Sequence, residues 1–258
     1  MTRVAILPSA EAAAVTVATC IADALQVDPE LVIGLPTGQT PIPMYRALVE
    51  LHRQGRADFG RATTFNLDEF VGLAPGDPGS YHAYMRAHLF DAINLAPERM
   101  HLFNGKRKDW RREIARFDAA LSALGGLTIA VVGIGRNGHI GFNEPAPALA
   151  TASHRVRLTE ASRRANAAAF GGRWRRVPTH ALSMGIGSIL RARTVLLLAT
   201  GAHKAAIVAR ALHGPITTRV PASLLQAHPN VLVVLDRAAA GKLPMSERRL
   251  SRGSTMKS

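Results

Sequence analysis

An α/β fold built on a parallel sheet is what this sequence predicts, and three observations predict it. Short apolar runs of strand length, Leu31 to Leu35, Leu127 to Val132, Thr194 to Ala199 and Val231 to Leu235, recur along the chain with helical patterns between them. Runs that are apolar throughout read as strands covered on both faces. Several of them end in glycine turns bearing polar residues, which is where open α/β sheets hold their ligands. With 258 residues, 47% of them hydrophobic, the chain can bury one substantial core, and it shows no internal repeat.

Taken in order, Arg3 to Leu7 is a short first strand, and Pro8 and Ser9 open an alanine-rich helix to about Leu25. Its stretch Ala12 to Ala22 is like a signal-peptide core, but Glu11 and Asp23 bracket it and its apolar length is short for a bilayer. A cytoplasmic location is therefore expected. The single cysteine, Cys20, falls at helical spacing with Val17 and Ala24 and reads as a buried free thiol. After a turn at Asp28 and Pro29, the second strand runs into P-T-G-Q-T-P and a helical pattern through Met44, Leu48 and Leu51. Thr40 before Pro41 is a cap followed by a first helical position. Strand, glycine turn and helix N-terminus make an anion site, because unpaired N–H groups and the positive dipole end converge there. The turn lacks the Gly-Lys-Ser/Thr ending of an NTP-binding loop, so a phosphate ester on a small molecule suits it better, a plain βα turn being the alternative.

Thr63 to Leu67 is a third strand, and it ends in Asp68, Glu69 and Phe70, which places two carboxylates at a strand's carboxyl end. Ser80 caps the next helix, where Tyr81, Tyr84, Met85 and His88 recur as packing residues, and Lys106 to Leu124 reads as a charged linker and amphipathic helix. The densest stretch follows the Leu127 to Val132 strand: V-V-G-I-G-R-N-G-H-I-G-F-N-E-P, from Val131 to Pro145. Backbone freedom concentrated beside titratable groups is costly unless a ligand needs it. His139 and Glu144 would overhang the crevice. Gly133, Gly135 and Gly138 satisfy G-x-G-x-x-G, but Pro145 and Pro147 come too soon for the helix a dinucleotide site requires. An incidental histidine in a structural turn is the other reading of this stretch alone.

Leu149 to Gly172 is polar and arginine-rich, with no apolar face until Phe170, and reads as a lid or a solvated helix. Gly201 to Lys204 again sets a glycine, a helix start and a cation after a strand, and from Arg237 the composition suggests a basic, flexible tail. The formal charge is +14, with seven arginines between Arg155 and Arg176 and six Lys or Arg between Arg237 and Lys257. These clusters are sparse in aromatics for stacking, so a solvated surface or the steering of an anionic substrate is expected rather than nucleic acid. No membrane partner and no metal are expected, since the ten histidines show no H-x-x-x-H pairing.

Four of these loops, in order, resemble the glucosamine-6-phosphate deaminase family, relatives of the 6-phosphogluconolactonases. They are G-L-P-T-G-Q-T-P at Gly34 to Pro41, T-F-N-L-D-E-F at Thr64 to Phe70, G-I-G-R-N-G-H-I-G-F-N-E-P at Gly133 to Pro145, and V-P-A-S-L-L-Q-A-H-P-N at Val220 to Asn230. The third is the most specific, because the lactonases share the phosphate loop but do not usually carry G-H-I-G-F-N-E-P. The resemblance implies a doubly wound, mostly parallel, Rossmann-like sheet in one domain over residues 1–236; composition adds a lid over about 149–176 and a basic, flexible tail over 237–258. It implies a cofactor-free reaction of glucosamine 6-phosphate, giving fructose 6-phosphate and ammonia in aminosugar breakdown. His139 would open the sugar ring, held by Glu144 and Asn137, and Asp68 would move the C2 proton. Thr37, Gly38, Thr40 and Lys204 would hold the phosphate, while Glu69 would be structural.

The sequence departs from the family in places. The family's lid ends in A-N-x-R-F, with its arginine on the phosphate, whereas A-N-A-A-A-F here puts Ala168 at that position; Arg173 or another lid arginine would have to substitute. The Arg-x-Lys pair of the allosteric hexamers aligns with His154 and Val156, so no activation by N-acetylglucosamine 6-phosphate is expected. Galactosamine 6-phosphate, a 6-phosphogluconolactonase activity and a non-catalytic sugar-phosphate sensor are the competing readings, and a homo-oligomer is left open.

Overall fold

The computed structural model describes residues 2–250, with the side chains of Arg249 and Leu250 left aside. Ten strands and eight helices are found among the described residues. In chain order they are β1 (Thr2–Leu7), α1 (Ala10–Val27), β2 (Val32–Leu35), α2 (Ile42–Arg53), β3 (Thr63–Asn66), β4 (Asp68–Phe70), α3 (Tyr81–His88) and β5 (Met100–His101). Then come α4 (Trp110–Ala123), β6 (Ile129–Val132), β7 (His154–Arg157), α5 (Glu160–Ala165), β8 (His180–Ser183), α6 (Ile186–Leu190), β9 (Thr194–Ala199), α7 (Ala205–His213), β10 (Val231–Asp236) and α8 (Met245–Leu250).

Seven strands form one sheet in the order β1-β10-β9-β6-β2-β3-β5, and every pairing in it is parallel. The expected doubly wound α/β fold is therefore what the chain adopts. Period two explains why the strands read as unbroken apolar runs, since alternate residues serve opposite cores. Val32, Ala130, Val132, Val195 and Leu197 join one cluster, whereas Ile33, Leu35, Ile129, Val131, Leu196 and Leu198 join the other. Winding reverses between β2 and β6. The turn after β2 and the glycine-rich loop after β6 consequently flank the switch point, the place where open α/β sheets form their ligand crevice.

Short polar elements proved harder to read. β4, β8 and β7 form a second, antiparallel sheet in which Asp68 pairs with Ser183 and His154 also pairs with Ser183. The chain changes sheets at Leu67, whose N–H donates to Leu35 O at 3.1 Å while its own carbonyl accepts from Met184 N at 2.7 Å. The region expected to be a lid thus enters as a paired strand.

Three expectations need correction. By length and composition α1 could cross a membrane, at 18 residues and a mean hydropathy of 1.3, so its apolar run is not too short. What makes it a core helix here is packing: Ala13, Ala14, Val17, Ala18, Ile21, Ala22 and Leu25 are buried in the second cluster. Cys20 is only half-buried at that cluster's margin, with burial and then Asp23 pushing its thiol pKa up. Nor does a tail begin at Arg237, for Ala239, Ala240 and Leu243 are core residues and Asp236 Oδ1 accepts from Ala239 N at 2.7 Å. Of the expected tail, 251–258 lie outside the described residues.

Candidate active site

The turn after β2 presents backbone donors. Gly38 takes φ +100°, a conformation that side chains with a Cβ resist, and Tyr84 Oη donates to Gly38 O at 2.6 Å, fixing the turn from α3. Tyr45 Oη similarly donates to Pro36 O. Among the described residues, the N–H groups of Thr37, Gly38, Gln39 and Thr40 meet no backbone acceptor. Donors left open at the head of a helix attract an anion. Thr40 does not cap α2, however: the helix starts behind Pro41 without a side-chain cap, so Thr40 is not spent on the helix.

Asp68 stands where the main sheet hands over to the second one. It is 5% exposed, and Thr37 Oγ1 donates to Oδ1 at 3.4 Å. Burial raises its pKa to about 7, against the pull of that hydroxyl. Its other oxygen faces the glycine-rich loop, since a Cβ on Gly141 would lie 3.6 Å from Oδ2. Asp68 therefore touches both flanks of the crevice. Glu69, one residue on, turns away and accepts from Phe70 N at 2.7 Å, from Tyr81 N at 3.0 Å and from His82 N at 3.2 Å. The structural part foreseen for it takes the form of a cap on α3, supplemented by Ser80, which caps the same helix through Ala83 N.

In the loop after β6, His139 Nδ1 lies 3.6 Å from Glu144 Oε2, and Asn137 Nδ2 donates to that same oxygen at 2.6 Å. The Asn137 side chain also accepts from His139 N at 3.2 Å. Glu144 is buried, which by itself would raise its pKa. The imidazole, the Ser162 hydroxyl and the Asn137 amide outweigh that and hold it at about 2. Gly135 lies directly beneath the imidazole, so a Cβ there would come within 2.3 Å of Cε1.

Ser162 and Thr159 were missed by the sequence reading. Ser162 Oγ donates to Glu144 Oε1 and lies 3.5 Å from His139 Nδ1, and Thr159 Oγ1 donates to the same Glu144 oxygen at 3.2 Å. Both belong to the start of α5, where Thr159 caps the helix through Ser162 N, so the T-x-x-S spacing was the available signal. The segment expected to be a lid is thus fastened to Glu144. Phe170 closes it on Phe70, with ring centroids 5.5 Å apart.

Three arginines of this segment are engaged elsewhere. Arg163, Arg164 and Arg175 gather on Trp174, Arg163 also binds the carbonyls of Val177 and Arg175, and Arg164 pairs with Glu160. Ala168 is exposed on the short turn Ala167–Phe170. Two other cations lie close to the glycine-rich loop. Lys204 Nζ donates to Ile134 O at 2.6 Å, and its pKa is lowered to about 8 by burial and then by Arg136. The same Arg136 acts on His203. Arg136 was overlooked because it reads as one more exposed loop cation.

A sequence model of the family described as glucosamine-6-phosphate isomerases/6-phosphogluconolactonase matches residues 8–234. A glucosamine-6-phosphate deaminase of Rhodopirellula baltica is 44% identical over 241 residues, covering 93% of this chain and 96% of that protein. One from Clostridioides difficile is 43% identical over 233 residues, covering 90% and 93%. Among solved structures, a monomeric glucosamine-6-phosphate deaminase superposes with a TM-score of 0.90 at 40% identity, covering 93% of this chain and 99% of that one. The 6-phosphogluconolactonase of Trypanosoma brucei reaches 0.70 at 17% identity, a likeness of fold alone.

Proposed function

The chain belongs to the family of glucosamine-6-phosphate isomerases and 6-phosphogluconolactonases, and from that premise we propose that it is a glucosamine-6-phosphate deaminase. The observation that carries this is the buried carboxylate of Asp68, with a pKa near 7, set between a turn of open N–H donors and a histidine–glutamate pair. Lactone hydrolysis has no use for a base at C2. Isomerisation with loss of an amine cannot proceed without one.

In the reaction we envisage, the phosphate of glucosamine 6-phosphate rests on the N–H groups of Thr37, Gly38 and Thr40 beside the Lys204 ammonium. Binding energy taken far from the reacting carbons then serves orientation. His139, its Nδ1 turned to Glu144, takes the proton of the ring hydroxyl at C1 and returns it to the ring oxygen, which opens the sugar. Asn137 and Glu144 hold the imidazole in place. Asp68 removes the C2 proton and delivers it to C1, while the C1 carbonyl oxygen takes up a proton that the amine gives up, leaving a hydroxyl at C1 and an imine at C2. Water adds to that imine, and the products are fructose 6-phosphate and ammonia. No cofactor is called for. A small aminosugar phosphate is the partner, the cytoplasm is the compartment we assign, and with Ala168 at the place of the family's phosphate-binding arginine we assign Arg136 to the phosphate beside Lys204.

The deciding assay is ammonia release across the 6-phosphates of glucosamine, galactosamine and gluconolactone. Fastest release from the glucosamine compound supports the proposal, and lactone hydrolysis without ammonia from either aminosugar overturns it. Lys204→Ala is expected to raise KM about 10- to 100-fold, the loss of one charge-assisted contact worth roughly 1.5–3 kcal/mol, with a smaller change in kcat. Arg136→Ala should move KM in the same direction and by less, since Arg136 is exposed. Unchanged KM in steady-state assays would remove either residue from the phosphate site. With His154 and Val156 on the edge strand β7, initial rates should be hyperbolic in substrate, and N-acetylglucosamine 6-phosphate should not change that shape.

A further inference from the structure

A second cavity, of about 370 Å³, lies between the end of β4 and the head of α4, and four cations line it: Lys106, Arg107, Lys108 and Arg155. None of them has a part in the proposed reaction. Their charge is poorly balanced. Arg107 pairs with Glu113 at 3.2 Å, but Glu113 also serves Arg116 at 2.5 Å. Asp109, the nearest carboxylate along the chain, caps α4 and faces Arg112 at 3.5 Å. Lys106, Lys108 and Arg155 have no carboxylate partner among the described residues. A concave wall of one sign focuses the field and raises the local concentration of anions.

The floor is different in kind. Val71 and Leu182 are apolar, Gly72 and Gly105 contribute no side chains, and Gly72 N donates to Gly105 O at 2.8 Å, which ties the two sides of the cavity together. Trp110, half-buried against the main core, forms one wall, with the Arg111 guanidinium over one face of its ring at 4.4 Å from the centroid. Arg155 sits directly opposite Leu182 in the second sheet, so this cation is held on a paired strand. A single phosphate would need one or two of these cations. Four cations around a space this size, with an aliphatic floor and an indole in one wall, match several phosphates joined to a flat ring.

We infer that this cavity binds a nucleoside polyphosphate, a ligand separate from the sugar phosphate of the crevice. The chain has two tryptophans, so in a Trp174→Phe variant the emission of Trp110 reports this cavity alone. That protein is titrated at constant ionic strength with ATP, with inorganic tripolyphosphate and with inorganic phosphate. ATP is expected to give a saturable change with a Kd at least about tenfold below that of tripolyphosphate, and inorganic phosphate none. Adding Arg155→Ala and Lys106→Ala should weaken ATP at least about tenfold, whereas adding Lys204→Ala should leave it unchanged. The inference is overturned by any of four results: no saturation, equal affinity for ATP and tripolyphosphate, indifference to the Arg155 and Lys106 changes, or tighter binding of an RNA oligonucleotide than of ATP. Because the readout is binding, failure of the deaminase assignment would leave it standing.

Discussion

Asp68→Asn is expected to lower kcat for ammonia release by about three orders of magnitude while leaving KM within a few-fold of the parent. Proton transfer by a placed side chain contributes on the order of 10²–10⁴ to rate, and here one carboxylate is asked to move a carbon-bound proton. The amide is isosteric and can still accept from Thr37 Oγ1, so the pocket keeps its shape. Acidity follows the same group. With a pKa near 7 in the free protein, Asp68 is protonated and idle below neutrality, so kcat/KM should fall as pH drops below about 7. Above about 8, loss of the Lys204 charge should raise KM instead. Stability should move opposite to activity. The folded pKa lies above the ordinary 3.8, so the folded chain binds more protons between those values and stability from this group falls as pH rises through that window. At pH 8 the asparagine variant should therefore melt at a higher temperature than the parent in a thermal scan, although it is inactive. Ammonia release near parental levels would show that another base does the work.

The legible parts of this protein share a physical cause. β2, β6, β9 and β10 are covered on both faces, and that burial writes an unbroken apolar run into the sequence. β4, β7 and β8 do not have that pattern: β4 is three residues including two carboxylates, and β7 is H-R-V-R, with its two arginines exposed. Pairing to β8 makes them strands, and pairing is not a local property. The same holds for the candidate site. His139, Glu144 and Asp68 were visible because a loop motif or a strand end advertises them. Ser162, Thr159 and Arg136 became visible only once α5 was seen to rest on Glu144 and Arg136 to act on Lys204. Ala239 and Leu243 were hidden by their neighbours, since glycine and lysine between them dilute an apolar pattern that the fold buries.

A second large loss is expected from His139→Gln, with kcat reduced about 100- to 10,000-fold, and its origin can be told apart from that of Asp68. In the parent, Nδ1 is committed to Glu144, which stays ionised with a pKa near 2, so Nε2 is the nitrogen left for the sugar. Glutamine cannot take up and return a proton there. Asp68 is intact in this variant, so ring opening becomes the slow step and a substrate deuterated at C2 should react at the same rate as the protiated one. Gly135→Ala tests the geometry without removing the imidazole. The new methyl would come 2.3 Å from Cε1, and the ring must swing away, breaking its alignment with Glu144. A misplacement of that order should cost about 100-fold in kcat with the same absence of an isotope effect. Parental activity in Gly135→Ala would mean that the imidazole works from some other position. A full C2 isotope effect in His139→Gln would mean that it does not open the ring.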